Sequence, residues 1–317
     1  MHWLYVSRAT MKSAMAKPTS RPAAKTASKP KPPQEIVDPR WLFKMLGIAF
    51  GAALVCGYIT ASVLFYFTSW QLVLHPTRTP SGGTALPTQR VQFDVDNTGK
   101  PRLSGEWYPA DPGSRRAHQA VLYLRGADGQ LDPADGTQIA TLHALGLSVF
   151  AFDYTSYGSS NPHPHPSEKQ MLQDAMAAET YVSRTYNFRE PGQLLVFGSG
   201  TGVSIAAQLA QAYPNTAGLI GYNADPEVLS RVQSDRRSKL FPIAFFHDRF
   251  SLDALKSLKQ PKLLYTVGPV NAARSAVYRN AADPKLTVEV PTHNAEEERK
   301  AIARFLDENF LATPSTP

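Results

Sequence analysis

The residues that bear most directly on chemistry lie in a glycine-rich turn within the stretch LLVFGSGTGVSIAAQLAQAYP, Leu194 to Pro214. The apolar run Leu194 to Phe197 predicts a buried strand, and the small residues after the glycines predict a helix packed against a sheet. A strand–turn–helix with the pattern G-x-S-x-G presents its serine as a nucleophile for acyl transfer. Here Gly198, Gly200 and Gly202 leave a glycine where the nucleophile would stand.

The segments around this turn have the patterns of the strands and helices that would position it. After Pro76, a hairpin pair precedes six strand-like segments, namely QAVLYLRG, LSVFAFDY, QLLVFG, GLIGYN, KLLYTVG and LTVEVP. Helices are predicted near Asp135 to Leu145, from Ser167 to Thr185 and from Ala295 to Phe310. This alternation predicts one α/β domain over residues 76–317, with a mostly parallel sheet flanked by helices on both faces.

One connection in this domain is longer than its neighbours. Residues of about 224–250 lie between two predicted strands and include the sequence SDRRSKLFPIAFFHDRF. We expect this segment to form a small cap or lid over the C-terminal edge of the sheet, where ligands bind in such folds.

The first segment of the chain carries the whole net charge. Residues 1–44 hold nine Lys and Arg against two Asp and Glu, which equals the +7 of the full sequence. Their Pro, Ala, Ser and Lys composition buries too little apolar surface to offset ordering entropy, so we predict a disordered basic tail. A nucleic-acid-binding arm is the alternative, but the tail lacks interleaved aromatic residues, and no nucleic-acid partner is expected.

The next segment has the length and composition of a transmembrane helix. Residues 45–74 contain no Asp, Glu, Lys, Arg or His, and about 20 apolar residues suffice to cross a bilayer. Aromatic residues flank both ends, at Trp41 and Phe43 and again at Tyr66, Phe67 and Trp70, as at membrane interfaces. The sequence therefore predicts a single-pass membrane protein.

The charge distribution predicts the orientation of this anchor. Basic flanks remain in the cytoplasm, so residues after 75 would face the opposite side, the periplasm if the membrane is a bacterial inner membrane. A cleaved signal peptide fits less well because the preceding segment is long, and Cys56 follows Val55, which disfavours a lipoprotein site. Gly47 and Gly51 form G-x-x-x-G, a pattern of helix pairing that is also common without pairing.

Several motifs occur together in a family-specific order. FAFDYTSYGSS, Phe150 to Ser160, resembles a D-Y-R-G-x-G-x-S turn, and HPSEKQMLQDAMAAETYV resembles a P-S-E-x-x-L-x-x-D-A-x-A-A helix. The glycine-rich turn, PKLLYTVGPVN and PTHNAEEERKAIARFLDENF follow in that order. Over roughly residues 88–312 the chain resembles the α/β-hydrolase superfamily, in its esterase and serine-peptidase-like branch. The resemblance implies an α/β-hydrolase fold.

The resemblance also implies positions for a Ser, Asp, His catalytic triad. His293 matches the histidine, Gly200 occupies the nucleophile position, and Asn271, in the turn GPVN, occupies that of the acid. A glycine cannot attack, and a neutral asparagine cannot stabilise the imidazolium that forms in the transition state. The triad is therefore predicted to be degenerate.

Other hydroxyl and acidic side chains near these positions are candidate replacements. Ser199 precedes the apex of the turn and is expected to point away from His293, whereas Thr201 begins the helix, where threonine commonly serves as a cap. The remaining candidates are two serines after the fourth predicted strand and an acid after the sixth, namely Ser156, Ser159 and Asp225.

The resemblance implies an oxyanion hole, in which backbone amides bind a developing negative charge. The donors would be the amides of Thr201 and Ala127, the latter in the RGAD turn. Arg125 stands where the family usually has histidine, and we expect it either at the rim of the pocket or in a surface salt bridge. A carbonyl or an anion could bind there without any catalytic side chain.

The sequence predicts no metal and no cofactor. His163 and His165 lie in NPHPHP, but two histidines without a third ligand nearby make a weak site, and the prolines indicate a rigid loop.

Three hypotheses for function remain. The first is a membrane-anchored protein with a decayed triad that binds an acyl or anionic small molecule or a protein partner. The second is an active serine hydrolase, an esterase, lipase or peptidase with a relocated nucleophile. The third is a structural assembly platform.

Overall fold

The architecture is given by a computed structural model, which describes residues 38–78, 84, 86–95, 102–127, 133–188, 190–292 and 294–310. The predicted disordered tail up to residue 37 and the predicted triad residue His293 lie outside these ranges. The chain divides into two units, Met1–Val55 and Cys56–Pro317. The second unit contains the α/β domain.

The domain is built on one eight-stranded sheet. Its spatial order is β1-β2-β4-β3-β5-β6-β7-β8. The first pairings, β1 with β2 and β2 with β4, are antiparallel, and all the others are parallel. The strands are β1 Gln89–Phe93, β2 Leu103–Tyr108, β3 Ala120–Leu124, β4 Ser148–Asp153, β5 Leu194–Ser199, β6 Leu219–Tyr222, β7 Lys262–Val267 and β8 Lys285–Val290. The predicted hairpin and mostly parallel sheet are confirmed.

Helices connect the parallel strands and cover the sheet. They are α1 Pro39–Thr68, α2 Pro133–Ala144, α3 Glu168–Thr185, α4 Gly202–Ala212, α5 Val228–Ser234, α6 Ala272–Asn280 and α7 Ala295–Phe310. Helices α2, α3 and α7 correspond to the three predicted helical ranges, and α4 is the helix predicted after the glycine-rich turn. The predicted α/β class with helices flanking a mostly parallel sheet is therefore correct.

Two apolar layers lie on opposite faces of the sheet. The central strands are buried along their whole length, because parallel strands with helices on both faces have no solvent side. Leu122 and Phe150 face one layer, while their neighbours Val121 and Val149 face the other. Because both faces of the central strands are buried, the ends of these strands hold the residues of the candidate site in defined positions.

The apolar segment before the domain forms α1. Among the described residues, one helix is long and apolar enough to cross a membrane, and it continues through a 3₁₀ turn to Leu72. Nearly all the exposed large apolar side chains of the described chain lie on it, between Trp41 and Phe67. Val73 and Leu74, at the end of the predicted span 45–74, are instead buried in the domain core. The span itself stays a prediction.

The predicted cap region is an irregular segment between β6 and β7. It contains α5 and the 3₁₀ turns Ser238–Leu240 and Ile243–Phe245, and a third 3₁₀ turn, Asp253–Lys256, follows it before β7. The side chain of Phe241 stacks on Phe65 of α1, with ring centroids 4.6 Å apart. Whether the segment acts as a lid over a site stays a prediction.

A buried carboxylate on α3 links this helix to the loop after β4. Ser167 caps α3 by accepting a hydrogen bond from the Gln170 amide. One turn further on, Asp174 is fully buried and accepts hydrogen bonds from Thr155, whose amide lies 2.7 Å away, and from the Gln170 side chain. Burial raises the pKa of Asp174 to about 6, although these hydrogen bonds oppose the shift.

This carboxylate is expected to make stability depend on pH. Because its pKa is raised on folding, the folded chain holds more protons than the unfolded chain between about pH 4 and pH 6, so this contribution to stability is lost as the pH rises. Relative to an Asp174→Asn variant, the native chain should lose up to about 3 kcal/mol of unfolding free energy from pH 4 to pH 7. Urea unfolding of both proteins across this range measures the difference. Parallel pH curves would contradict the raised pKa.

Candidate functional site

The turn between β5 and α4 has the backbone geometry of a nucleophile elbow. Gly200, at its apex, has φ +57°, a left-handed conformation that favours glycine. Its amide donates to the carbonyl oxygen of Tyr222 at 2.9 Å, which ties the apex to the end of β6. Apart from its chain neighbours, no atom of the described residues lies within 4 Å of a Cβ atom built at Gly200. The space for a nucleophile side chain is present, and the side chain is not.

The two flanking glycines have a different reason to be glycine. A Cβ at Gly198 would lie 2.6 Å from Cα of Val203, and one at Gly202 would lie 2.3 Å from the carbonyl oxygen of Leu124. Both contacts involve backbone atoms that cannot move aside, so the close packing of α4 on β3 and β5 requires these glycines. The outer glycines of the pattern thus have a structural role that does not depend on catalysis.

The predicted oxyanion-hole amide of Ala127 already has an acceptor. It donates a hydrogen bond of 2.6 Å to Oγ1 of Thr201, the residue after the apex. The same peptide segment is held from the other side, where the Tyr157 hydroxyl donates to the Ala127 carbonyl oxygen at 3.0 Å. The Thr201 side chain does not cap α4, although it occupies the cap position. A substrate oxygen would have to displace the Thr201 hydroxyl to reach the Ala127 amide.

The predicted position of Arg125, at a pocket rim or in a surface salt bridge, is wrong. Arg125 is only 2% exposed. Its guanidinium forms an ion pair with Asp153 and donates to the carbonyl oxygen of Phe152 at 2.9 Å. Arg125 follows β3 and Asp153 ends β4, and because these strands are parallel neighbours the two side chains meet below the sheet edge.

Asp153 is a structural residue that the sequence analysis did not single out. Besides pairing with Arg125, its carboxylate accepts a hydrogen bond from the Ser159 amide at 2.9 Å. Gly158, with φ +48°, packs so closely on this carboxylate that a Cβ would lie 2.2 Å from it. The FDYTSYGSS motif therefore wraps a turn around one buried anion. The signal available in the sequence was an arginine and an aspartate at the ends of two adjacent predicted strands.

The candidate replacement residues after β4 and β6 are engaged elsewhere. The Ser156 hydroxyl donates to the carbonyl oxygen of His163 at 2.9 Å and accepts from the His163 amide at 2.7 Å. Asp225 pairs with Arg231, whose guanidinium nitrogen Nη1 lies 3.0 Å from the carboxylate. Ser159 is exposed and contributes its amide to Asp153. These contacts give Ser156 and Asp225 structural roles that compete with any catalytic one.

The remaining predicted triad positions are only partly described. Asn271 is exposed and caps α6, its Oδ1 accepting from the Arg274 amide at 2.8 Å. Ser199 is half-buried at the end of β5, opposite Tyr222. Since His293 is not among the described residues, its proximity to Asn271, Gly200 or Ser199 stays a prediction.

The two histidines of the proline-rich loop are joined by a contact between one ring and the other residue's backbone. His163 Nδ1 lies 3.1 Å from the His165 carbonyl oxygen, and both residues are exposed. Within the described ranges, no group of three or more His, Cys, Asp or Glu side chains is arranged to hold a metal ion. The expectation that the protein uses no metal or cofactor stays a prediction.

Comparison with family models finds no match, and comparison with individual sequences finds distant relatives. An uncharacterized protein of Mycobacterium tuberculosis is 28% identical over 274 residues, which cover 81% of this chain and 94% of that protein. The α/β-hydrolase domain-containing protein 17B of Xenopus tropicalis is 28% identical over 104 residues, 33% of this chain and 35% of that protein.

Solved structures similar to this chain are esterases and other hydrolases. An esterase of Pyrococcus furiosus superposes with a TM-score of 0.57 and 16% identity, covering 75% of this chain and 99% of that one. An α/β hydrolase from Vibrio vulnificus gives a TM-score of 0.52 and 19% identity over 70% of this chain and 79% of that one. Together with the strand order and the elbow, these similarities show that the chain has the α/β-hydrolase fold.

Proposed function

We propose that this is a membrane-anchored protein of α/β-hydrolase fold whose site binds a ligand without hydrolysing it. The observation that carries the proposal is Gly200, which keeps the backbone geometry of a nucleophile position and offers no side chain to attack with. The elbow, its flanking glycines and the helix after it are intact. A scaffold kept without its nucleophile is better suited to binding than to turnover.

The second component of hydrolytic chemistry is also compromised. An oxyanion hole works because its amides are free to meet the charge that develops on the substrate oxygen. Here the Ala127 amide is bonded to Thr201 Oγ1 at 2.6 Å. Breaking this bond has a cost that a catalytic site would add to its activation barrier.

The third component concerns the acid of the triad. Asn271 supports α6 as its N-terminal cap, a role that asparagine and aspartate perform about equally well. An aspartate at this position could therefore serve both the helix and a histidine. Its replacement by asparagine removes the charge and leaves the fold intact, as expected where catalysis no longer matters.

Anchoring rests on α1. Its exposed apolar face, from Trp41 to Phe67, needs an apolar surrounding, and a bilayer provides one. With the basic segment 1–44 retained in the cytoplasm, the domain lies on the opposite side, which is the periplasm in the case of a bacterial inner membrane. The ligand is then an acyl or anionic small molecule, or a protein partner, that reaches the outer face of the membrane.

Labelling with a fluorophosphonate probe tests the loss of hydrolytic chemistry. The full-length protein in detergent micelles is expected to remain unlabelled, because such probes modify only activated serines. A known serine hydrolase in the same micelles serves as the positive control. Labelling of the native chain that disappears in a His293→Ala variant would refute the proposal. Peptide mapping would then identify the relocated nucleophile, with Ser199 as the first candidate.

A further inference from the structure

We propose that the loop Asp235–Phe246, between α5 and β7, is a second membrane contact of this chain, apposed to an anionic lipid surface. This inference extends the proposed function, since it requires α1 to be held in a bilayer. Within this loop the side chain of Leu240 is 70% exposed. In the described part of the chain, it is the only exposed large apolar side chain that does not belong to α1.

The loop is packed directly against the helix that would cross the membrane. The Tyr58 hydroxyl of α1 donates to the Leu240 carbonyl oxygen at 3.4 Å. The ring of Phe241 stacks on both Tyr58 and Phe65, with centroid distances of 6.1 Å and 4.6 Å. Since Tyr58 and Phe65 lie about two turns apart on one face of α1, the loop runs beside the helix and Leu240 is held next to it.

The level of this contact along the helix matches the edge of a bilayer. About 20 helical residues cross the apolar layer, so a layer that starts after Lys44 ends near Leu64. Tyr58 and Phe65, which hold the loop, lie on either side of that level. Tyrosine rings are enriched in the interfacial region of membranes. An exposed leucine placed there would face lipid.

The charges of the loop indicate which lipid surface it meets. Arg236 and Lys239 precede Leu240 in the chain, are exposed, and have no ion-pair partner within the described residues. The acidic Asp235 is already paired with Arg237 at 3.1 Å. The loop therefore presents two free positive charges beside an apolar side chain, the combination by which peripheral segments bind anionic lipid headgroups.

The depth of position 240 can be measured in the full-length chain. Cys56 is the only cysteine, so a Cys56→Ala background accepts single spin labels at Leu240→Cys, Ile59→Cys and Asn215→Cys. Each protein is placed in nanodiscs of phosphatidylcholine with or without phosphatidylglycerol. Accessibility to oxygen and to a water-soluble nickel complex then gives the depth of each label. Ile59 on α1 reports the anchor, and Asn215, at the opposite end of the sheet, reports the aqueous phase.

The label at 240 is expected to be oxygen-accessible and shielded from nickel, as at 59, whereas that at 215 shows the reverse. An aqueous label at 59 would overturn the anchoring itself. A lipid-embedded label at 59 with an aqueous label at 240 would overturn only the loop contact.

Adding phosphatidylglycerol should deepen the label at 240, and an Arg236→Gln/Lys239→Gln variant should lose this response, since each charge contributes about fivefold to surface attachment. A depth at 240 that is the same in both lipids would refute the anionic surface.

Discussion

A variant carrying Gly200→Ser, Thr201→Ala and Asn271→Asp is expected to react with a fluorophosphonate probe, whereas the native chain does not. Gly200→Ser places a hydroxyl in space where a Cβ meets no neighbour. Thr201→Ala removes the hydroxyl that occupies the Ala127 amide and so frees a donor for the oxyanion. Asn271→Asp supplies the charge that stabilises an imidazolium, and it keeps the cap of α6.

The three changes should contribute unequally. Without the nucleophile there is no covalent step, so Gly200→Ser is required and the other two alone give no labelling. An aspartate in place of asparagine behind the histidine accounts for about 10⁴-fold in a serine triad. One oxyanion donor accounts for about 10²–10³-fold. Gly200→Ser alone is therefore expected to label slowly, and the triple variant orders of magnitude faster.

Two controls separate restored chemistry from adventitious reactivity. Gly200→Ala in the same background carries the backbone strain of a side chain at positive φ without a hydroxyl, so it should remain unlabelled. His293→Ala in the triple variant should abolish labelling, because the serine then has no base. Equal labelling of the triple variant with and without His293 would show that the predicted triad position of His293 is wrong.

Asp153→Ala is expected to destabilise the fold by about 3–5 kcal/mol, because it leaves the Arg125 charge buried without its partner. Arg125 is 2% exposed and Asp153 is 4% exposed, so solvent can compensate neither charge. Urea unfolding of the purified variant, followed by circular dichroism, measures the loss. A change below about 1 kcal/mol would place this pair among weakly contributing surface salt bridges.

The matched control is a double-mutant cycle with Arg125→Met. Replacing both members removes the unpaired charge, so the double variant should lose less stability than the sum of the two single variants. Asp153→Ala also deprives the Ser159 amide of its acceptor, a loss that Arg125→Met does not restore. The non-additive part of the cycle therefore isolates the ion pair. Additive effects would contradict the coupling.

The order of the elements was predictable because each strand and helix has its own local pattern. Leu194 to Phe197 has the composition of a buried strand, and the small residues after Gly202 are those that a helix close to a sheet needs. The strand–turn–helix order of the elbow was predicted from the same stretch. Local patterns therefore determined the fold and the location of the site.

The state of the site was less predictable, because it depends on contacts between distant segments. The hydrogen bond between the Thr201 hydroxyl and the Ala127 amide joins residues 74 positions apart. Predicting it would require the relative positions of two turns at the sheet edge. The burial of Arg125 likewise depends on where Asp153 points, since an arginine at a strand end is usually exposed. Sequence patterns indicate which residues lie at the same sheet edge, but not which of them form hydrogen bonds or ion pairs with one another.

The connection between the last turn of α1 and the domain core is very short. Only the 3₁₀ turn Ser69–Leu72 separates the last residue of α1 from Val73, which already belongs to the core. This connection is too short to act as a flexible linker, which would let a tethered domain move freely. The distance between the last turn of α1 and the domain core is therefore set by the fold itself and not by a linker that could lengthen or shorten.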